Sequence, residues 1–133
     1  MWLVAQEVAL LTFAGAWQLP LAAALALTGG AIDLWSVALF FRGGTTVNPM
    51  APARASRLVR KGMYRVTRNP MYLGLLLMLT AWGIWLGSVV SLLLVPVFAW
   101  VVTLMQIVPE EKVLTEKFGD TYTDYCRDVR RWF

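Results

Sequence analysis

The sequence predicts an all-α integral membrane bundle of about four transmembrane helices, with a cytoplasmic loop and a C-terminal helical tail. Hydrophobic residues make up 59% of the 133 residues, whereas soluble domains are about 45–50% apolar. Charged residues make up only 15%, and they are clustered, which leaves long apolar runs between them. Because a membrane-spanning helix needs about 20 mostly apolar residues, these runs predict transmembrane segments.

Each segment of the predicted bundle follows from its composition. The chain has the length of one domain, residues 1–133, and its first apolar stretch ends at a turn around Pro20. Gly87 and Ser88 divide the longest apolar region into a helical hairpin. Pro109 starts a new helix or kinks the old one, and charged residues follow it. The predicted spans are residues 1–17, 19–41, 70–87 and 88–108, with a loop at 42–69 and a tail at 109–133.

The second predicted span carries one formal charge, Asp33. A carboxylate inside a membrane is costly, so it has either a functional role or a partner within the bundle. We favour a partner, and expect Asp33 to contact a hydroxyl group or an arginine. The small residues from Thr28 to Ala31 precede it and favour close packing against a neighbouring helix.

The predicted loop is rich in basic residues and contains no acidic residue before the next span. By the positive-inside rule such a loop is cytoplasmic, and the tail lies on the same side because two spans separate them. The basic residues flank spans, so they indicate orientation and contacts with membrane lipids rather than nucleic-acid binding. This predicts a multi-pass protein of a bacterial or archaeal plasma membrane, with its site on the cytoplasmic face. The loop's basic residues are Arg42, Arg54, Arg57, Arg60, Lys61, Arg65 and Arg68.

Two residue types that often carry chemistry are scarce. The chain has no histidine and one cysteine, Cys126. Histidine is the commonest metal ligand and a frequent general base, so we predict neither a metal site nor histidine-based catalysis. A lone cysteine forms no disulfide within the chain, and we interpret Cys126 as a small packing residue.

The segment from Arg60 to Gly74 concentrates polar groups between apolar runs. Asn69 followed by Pro70 predicts a helix start, because Asn is a favoured N-cap and Pro a favoured first helical residue. Free N–H groups and the positive end of the helix dipole attract anions there, and Arg68 adds a cationic donor. Gly74 allows another backbone or a ligand to approach closely. The alternative is an ordinary cap beside basic membrane anchors.

A second polar group begins the tail. Glu110, Leu114 and Phe118 are spaced four apart, which places Glu110 on the apolar, inward face of a helix that is expected to end at Gly119. Together with Glu111 it forms an acid pair opposite the cationic helix start. A ligand with one anionic and one cationic end would suit both groups. S-adenosylmethionine (SAM) fits that description, and so does a zwitterionic lipid head group.

Three stretches resemble a known family of membrane enzymes. They are GTTVNP (44–49), LVRKGMYRVTRNPMYLG (58–74) and PEEKVLTEKFGDTYTDYCRDVRRW (109–132). In order and spacing they are similar to the isoprenylcysteine carboxyl methyltransferase family and, more broadly, to the membrane methyltransferases that include phospholipid N-methyltransferases. The resemblance implies an integral membrane, SAM-dependent methyltransferase whose cofactor pocket is built by the C-terminal half.

Two motifs of that family carry over residue by residue. Asn69 stands where the first motif frequently has histidine, so no role that rests on imidazole is carried over. The N-terminal half is shorter than in the eukaryotic enzymes, so a prenylated cysteine substrate is not carried over either. The motif R-H-P-x-Y-x-G matches Arg68, Pro70, Tyr72 and Gly74, and the motif E-E-x-x-L matches Glu110, Glu111 and Leu114.

The predicted function is methyl transfer from SAM to a lipophilic or membrane-delivered acceptor that presents a carboxylate, thiol or amine. Glu110 or Glu111 would hold the cofactor's amino group or ribose, and the helix start would meet its carboxylate. Arg130 or Arg131 would steer an anionic acceptor. The predicted catalytic residues are Arg68, Asn69 and Arg130. The predicted cofactor-binding residues are Tyr64, Asn69, Pro70, Met71, Tyr72, Gly74, Glu110, Glu111, Leu114 and Tyr122, with the three tyrosines lining the adenine or the entrance.

Two other functions stay open at this point. A protein with this fold could bind lipids without performing chemistry. Sterol reductases have a related C-terminal half that binds NADPH, which makes a reductase the second alternative. In those enzymes an Arg-Asp pair tends to stand where this chain has Glu110 and Glu111, and this difference counts against a reductase.

Overall fold

The computed structural model describes residues 1, 12–43 and 58–133. Within these ranges the backbone forms helices and turns without a β-strand, although Thr12 and Ser88 make an isolated antiparallel bridge. The all-α fold class is therefore confirmed for the described residues. Most of the predicted first span, the larger part of the predicted basic loop and the GTTVNP motif lie outside them.

Short connections join most of the described helices. The longest helix, α1, and the next long helix, α2, pack along each other more extensively than any other pair. The elements in chain order are α1 (Gln18–Gly43), a 3₁₀ helix (Gly62–Arg65), α2 (Pro70–Trp85), α3 (Val89–Val102), a π-helical turn (Thr103–Ile107), α4 (Val108–Phe118) and α5 (Asp120–Asp128).

Two helical stretches are long and apolar enough to cross a membrane, Gln18–Leu39 and Val89–Phe118. Helix α2 is apolar but has only 16 residues. At 1.5 Å per residue it extends about 24 Å, which is shorter than a hydrocarbon core of about 30 Å. The described residues thus contain two candidate spans, and the predicted count of about four is not confirmed.

Glycines allow α1 and α2 to approach closely. A methyl group added at Gly29 would lie 2.6 Å from the carbonyl oxygen of Gly74, and one added at Gly74 would lie 2.7 Å from that of Gly29. Gly30, next along α1, faces open space. The small-residue contact is therefore made by one glycine of each helix. A buried cluster of Ala22, Ala81 and Ile84 continues this packing.

The turn between α2 and α3 forms at Gly87 and Ser88. Gly87 has a φ of +61°, in the left-handed region that favours glycine. The Ser88 hydroxyl accepts a hydrogen bond from the backbone N–H of Ser91 at 3.3 Å, which caps the start of α3. Gln18 Nε2 donates to the Ile84 carbonyl at 2.9 Å and ties the start of α1 to this turn.

The chain continues as a helix through Pro109, where the predicted tail begins. From Val89 to Phe118, α3, the π-helical turn and α4 form one helical stretch. A proline ring clashes with the carbonyl four residues earlier, which is that of Met105. Met105 lies in the π-helical turn, whose wider winding accommodates the ring. Glu110 and Glu111 are therefore carried by the far end of this stretch.

The tail folds back over the end of the loop. Gly119 ends α4 as predicted, with a φ of +53°, and its N–H donates to the Thr115 carbonyl at 2.8 Å. Helix α5 and the residue that follows it then place three side chains in a buried group, the tyrosine cluster, consisting of Tyr122, Tyr125 and Val129. Leu58, Leu114, Phe118 and Cys126 pack against this cluster.

Candidate functional site

The two polar groups predicted from the sequence meet in the structure. The start of α2 contributes Arg68 and Tyr72, and the start of α4 contributes the two glutamates. Arg68 Nη1 lies 3.1 Å from Glu111 Oε1, and the Tyr72 hydroxyl donates to Glu110 Oε1 at 2.9 Å. These residues are 38 or more positions apart in sequence, so tertiary packing alone brings them together.

Glu111 lies between two guanidinium groups. Arg131 donates from Nε to Oε1 at 2.9 Å and from Nη2 to Oε2 at 2.7 Å, which is the bidentate geometry of strong arginine–carboxylate pairs. Arg68 Nη1 also lies close to Oε1, and the Arg68 side chain is only 14% exposed. The hydrogen bonds with Glu111 raise the pKa of Arg131 above its usual range, so this guanidinium stays charged.

Glu110 has a different environment from Glu111. Its Oε1 accepts hydrogen bonds from the Tyr72 hydroxyl and, at 2.7 Å, from Gln106 Nε2. Both donors are uncharged, and no arginine or lysine of the described ranges forms an ion pair with Glu110. Sequence reasoning left open which glutamate would hold a cation. In this structure Glu111 already has cationic partners, whereas Glu110 is held only by neutral donors.

Arg68 has more contacts than its pair with Glu111. Its Nη1 also donates to Cys126 Sγ at 2.7 Å, and its backbone N–H donates to the Arg130 carbonyl at 3.0 Å. Its Nε is buried and has no hydrogen-bond partner among the described residues. A buried N–H of a guanidinium without an acceptor is costly, so this atom is a donor available to an anionic ligand.

Asn69 occupies the N-cap position of α2, as predicted, but its side chain does not cap the helix. Instead its Nδ2 donates to the Arg131 carbonyl at 3.0 Å. The hydroxyl of Thr67 donates to the same carbonyl at 3.1 Å and accepts from the Asn69 N–H at 3.2 Å. A capping Asn accepts from the helix's own N–H groups through its Oδ1, but this side chain is instead held by the bond that its Nδ2 donates to the tail, so the expectation of side-chain capping is wrong.

Of the two terminal arginines, Arg131 enters the site. Its guanidinium binds Glu111, whereas the side chain of Arg130 is exposed and only its carbonyl is engaged, by Arg68. Alternating residues of an extended chain point to opposite sides, and the backbone after α5 is extended at Val129. Arg130 therefore lies beside the site rather than in it.

The predicted tyrosines differ in their surroundings. Tyr72 is half-buried and contacts Glu110, but Tyr64 and Tyr122 are buried in the contact between loop and tail. The Tyr125 hydroxyl donates to the Tyr64 carbonyl at 2.7 Å across this contact. Burial raises the pKa of Tyr64, Tyr122 and Tyr125 well above the usual tyrosine range. In this structure Tyr64 and Tyr122 serve the packing beneath the site, and they do not line an open entrance.

The remaining predicted residues are structural neighbours of the site. Pro70 is buried at the start of α2, Met71 is half-buried beside it, and Leu114 packs on the tyrosine cluster. The space that Gly74 leaves open is filled by Asp33 and by the backbone at Gly29, so it serves helix packing.

The partner expected for Asp33 is not found among the described residues. Its Oδ1 is buried and has no hydrogen-bond partner there, so no hydroxyl or arginine of these residues binds that atom. The side chain instead lies against Gly74 at the crossing of α1 and α2. The missing side chain of glycine provides room for the carboxyl group but no donor.

Three residues that matter to the site were not identified from the sequence. Thr67 and Gln106 supply hydrogen bonds to the two polar groups, and Tyr125 joins the tail to the loop. Gln106 could have been found, because it lies four residues before Glu110 on the same helical stretch. Nothing in the local sequence around Thr67 distinguishes it. Within the described residues, no group of acidic or cysteine side chains is arranged to hold a metal ion.

Comparison of the sequence with known proteins identifies the family of this chain. The profile of a family described as "Phospholipid methyltransferase" matches residues 17–121, which is most of the chain. An uncharacterised protein of Haemophilus influenzae is 50% identical over 62 residues, which make up 47% of this chain and 98% of that protein. No solved structure gives a significant match.

A second relative has a named activity. The Protein-S-isoprenylcysteine O-methyltransferase of Schizosaccharomyces pombe is 35% identical over 72 residues. The match covers 54% of this chain but only 30% of the Schizosaccharomyces pombe enzyme. Family, fold and the two apolar stretches agree with one another: the chain belongs to the phospholipid methyltransferase family and is a membrane methyltransferase.

Proposed function

We propose that this protein transfers the methyl group of SAM to a lipophilic or membrane-delivered acceptor, at the cytoplasmic face of a membrane that it crosses more than once. The observation that carries the proposal is the meeting of Arg68 and Tyr72 with Glu110 and Glu111. It joins two motifs that are far apart in sequence into one polar site at the end of apolar helices.

The residues of this site suit the amino-acid end of SAM, which carries a carboxylate and an ammonium group. The buried Nε of Arg68 has no partner among the described residues and is a donor for the carboxylate. Glu110, which within the same residues is held by the uncharged donors Tyr72 and Gln106, is an acceptor for the ammonium group. Arg68 and Arg131 balance the charges of the two glutamates, so the site favours a zwitterionic group, such as the amino-acid end of SAM, over a plain anionic or cationic group.

When bound, SAM supplies a methyl group on a sulfonium that is already strongly electrophilic. The chain's own contribution is then to bind, to orient and to exclude water. Orientation of two reactants can lower a barrier by roughly 7–11 kcal/mol. The sequence has no histidine, so we infer that the acceptor arrives ionised or loses its proton to water rather than to a protein base.

The names of the relatives indicate the chemical class of the methyl acceptor. The Schizosaccharomyces pombe protein is named for methylating an isoprenylcysteine, and the family is named for phospholipids. Both names describe a polar group carried by a lipid chain. A lipophilic acceptor would reach this site from the membrane along the apolar helices, with a carboxylate, thiol or amine as the accepting group.

A binding titration tests the proposal. Protein purified in detergent is titrated with SAM, with S-adenosylhomocysteine as the demethylated product, and with NADPH as the reductase cofactor. Saturable binding of SAM and of the product, without NADPH binding, is expected. Binding of NADPH alone would make the protein a reductase, and binding of neither would leave a lipid-binding protein.

A second experiment identifies the methyl acceptor by following an isotopic label from SAM to the membrane lipids. Membranes of the source cell are incubated with the protein and with SAM that carries an isotopic methyl label, and labelled lipids are separated. A single labelled class is expected. The Glu110→Gln variant is the control, since labelling that persists in it at the full rate arises from another enzyme.

A further inference from the structure

We propose that Thr67 and Asn69 are positioning residues that act on the site through the main chain of Arg131. This inference rests on the proposed function and assigns a task to two side chains that neither motif explains. Both donate to one carbonyl oxygen, that of Arg131, at 3.1 Å and 3.0 Å. The opposite end of Arg131 is the guanidinium that binds Glu111.

The segment after α5 depends on these contacts for its position. Helix α5 ends at Asp128, and the backbone is extended at the next residue, Val129, so the helix does not continue into the residues that follow. The Arg130 carbonyl is held by the Arg68 N–H, and the Arg131 carbonyl by Thr67 and Asn69. A long arginine side chain loses much conformational entropy when it is fixed. Because the backbone of Arg131 is already held, less entropy is lost when its guanidinium forms the two hydrogen bonds with Glu111, and this pair becomes more favourable.

The hydroxyl of Thr67 is central to the arrangement. The residue is fully buried, and its Oγ1 both donates to Arg131 and accepts from the Asn69 N–H at 3.2 Å. It therefore links the start of α2 to the tail with one atom. Valine has nearly the same shape but can do neither, and it would leave the part-buried Arg131 carbonyl with one donor fewer.

The effect on the site passes through Glu111. While Arg131 holds Glu111 in a two-bond fork, Arg68 is left with only one contact to that carboxylate. If Arg131 is displaced, Arg68 becomes the one cationic partner of Glu111 among the described residues, and Glu111 draws the Arg68 guanidinium away from an incoming carboxylate. Loss of Thr67 or Asn69 should therefore weaken SAM binding without removing any group that contacts SAM.

A double-mutant cycle separates this role from simple structural support. SAM affinity is measured for Thr67→Val in the wild-type background and again in an Arg131→Gln background. We expect Thr67→Val to weaken binding about fivefold in the first and by less than about 1.5-fold in the second, because coupled residues are not additive. Thr67→Ser, which keeps the hydroxyl, should retain wild-type affinity. Equal losses in both backgrounds would overturn the inference.

Asn69 gives an independent version of the test. Asn69→Asp replaces the donating NH₂ by an oxygen that faces the Arg131 carbonyl, while Asn69→His keeps an N–H donor. We expect the aspartate variant to lose SAM affinity and the histidine variant to keep it, and the opposite order contradicts the inference. If the wild-type protein binds no SAM, the proposed function is overturned as well. If the wild-type protein binds SAM but the losses of affinity in the Thr67 and Arg131 variants simply add, this inference alone is overturned.

Discussion

Arg131 and Glu111 are joined by two parallel hydrogen bonds, of 2.9 Å and 2.7 Å, across 20 residues of sequence. The pair fastens the tail to the start of α4. The pair also compensates the negative charge of Glu111, so the two adjacent glutamates have different roles. Glu110 is left as the carboxylate without a cationic partner in the described part of the chain, and the predictions about ligand binding follow from that difference.

Replacing Glu110 by glutamine should weaken SAM binding by at least about tenfold, which corresponds to about 1.4 kcal/mol. The substitution removes the negative charge but keeps an oxygen that can accept from Tyr72 or Gln106. Isothermal titration in detergent measures the change. Lys112→Gln is the matched control, because Lys112 is exposed on another face of α4. Equal effects at both positions would mean that Glu110 is only part of a solvated helix start.

Gly29→Ala should destabilise the protein, whereas Gly30→Ala should not. The methyl group at Gly29 would meet the Gly74 carbonyl at 2.6 Å, and backbone cannot move aside as a flexible side chain can. At Gly30 the methyl group faces open space, and alanine favours a helix by about 1 kcal/mol over glycine. Apparent melting temperatures in detergent compare the two variants. A similar melting temperature for both would argue against the close crossing of α1 and α2.

Tyr125→Phe should lower the free energy of unfolding by about 1–2 kcal/mol. The variant loses the hydrogen bond from the hydroxyl to the buried Tyr64 carbonyl but keeps the ring in the tyrosine cluster. Chemical denaturation in detergent measures the difference. Thr123→Val is the control, because its hydroxyl is exposed and bonds only within its own helix turn. A loss no larger than that of the control would show that the loop–tail contact does not depend on this bond.

Stability should fall steeply in alkali, above pH 10. Burial raises the pKa of Tyr64, Tyr122 and Tyr125 above the ordinary value of 10.0. Below that value the phenols are neutral whether the chain is folded or not. Above it the unfolded chain releases protons first, so the free energy of unfolding falls by up to about 1.4 kcal/mol per pH unit for each tyrosine. Denaturation between pH 9 and pH 12 should show a shallower fall for Tyr125→Phe than for wild type.

The pH dependence of methyl transfer should follow the acceptor rather than the protein. With no histidine in the sequence, ionisation of the acceptor is the step expected to titrate near neutral pH. Two acceptors whose pKa values differ should give rate profiles displaced by that difference. An inflection that stays fixed for both acceptors, and that disappears in Tyr72→Phe or Glu111→Gln, would identify a protein base and contradict the mechanism.

Local patterns in the sequence determined the helices and where several of them end. Apolar runs predicted the long helices, since a membrane-spanning helix satisfies its own backbone hydrogen bonds. Pro70 marked a helix start and Gly119 a helix end because their preferences depend on the backbone of one residue. The two polar groups that form the site were also recognisable, because motif spacing is a property of the chain itself.

Only the tertiary structure decided what each polar side chain does. Asn69 was predicted to cap its own helix, but its side-chain NH₂ instead donates to a carbonyl 62 residues away. Glu110 and Glu111 are the same residue type at adjacent positions, and nothing local says which of them Arg131 binds. Asp33 was expected to find a donor and instead faces a glycine. Hydrogen bonds and ion pairs act over a few ångströms, so their partners are chosen by packing, and sequence patterns do not encode that distance.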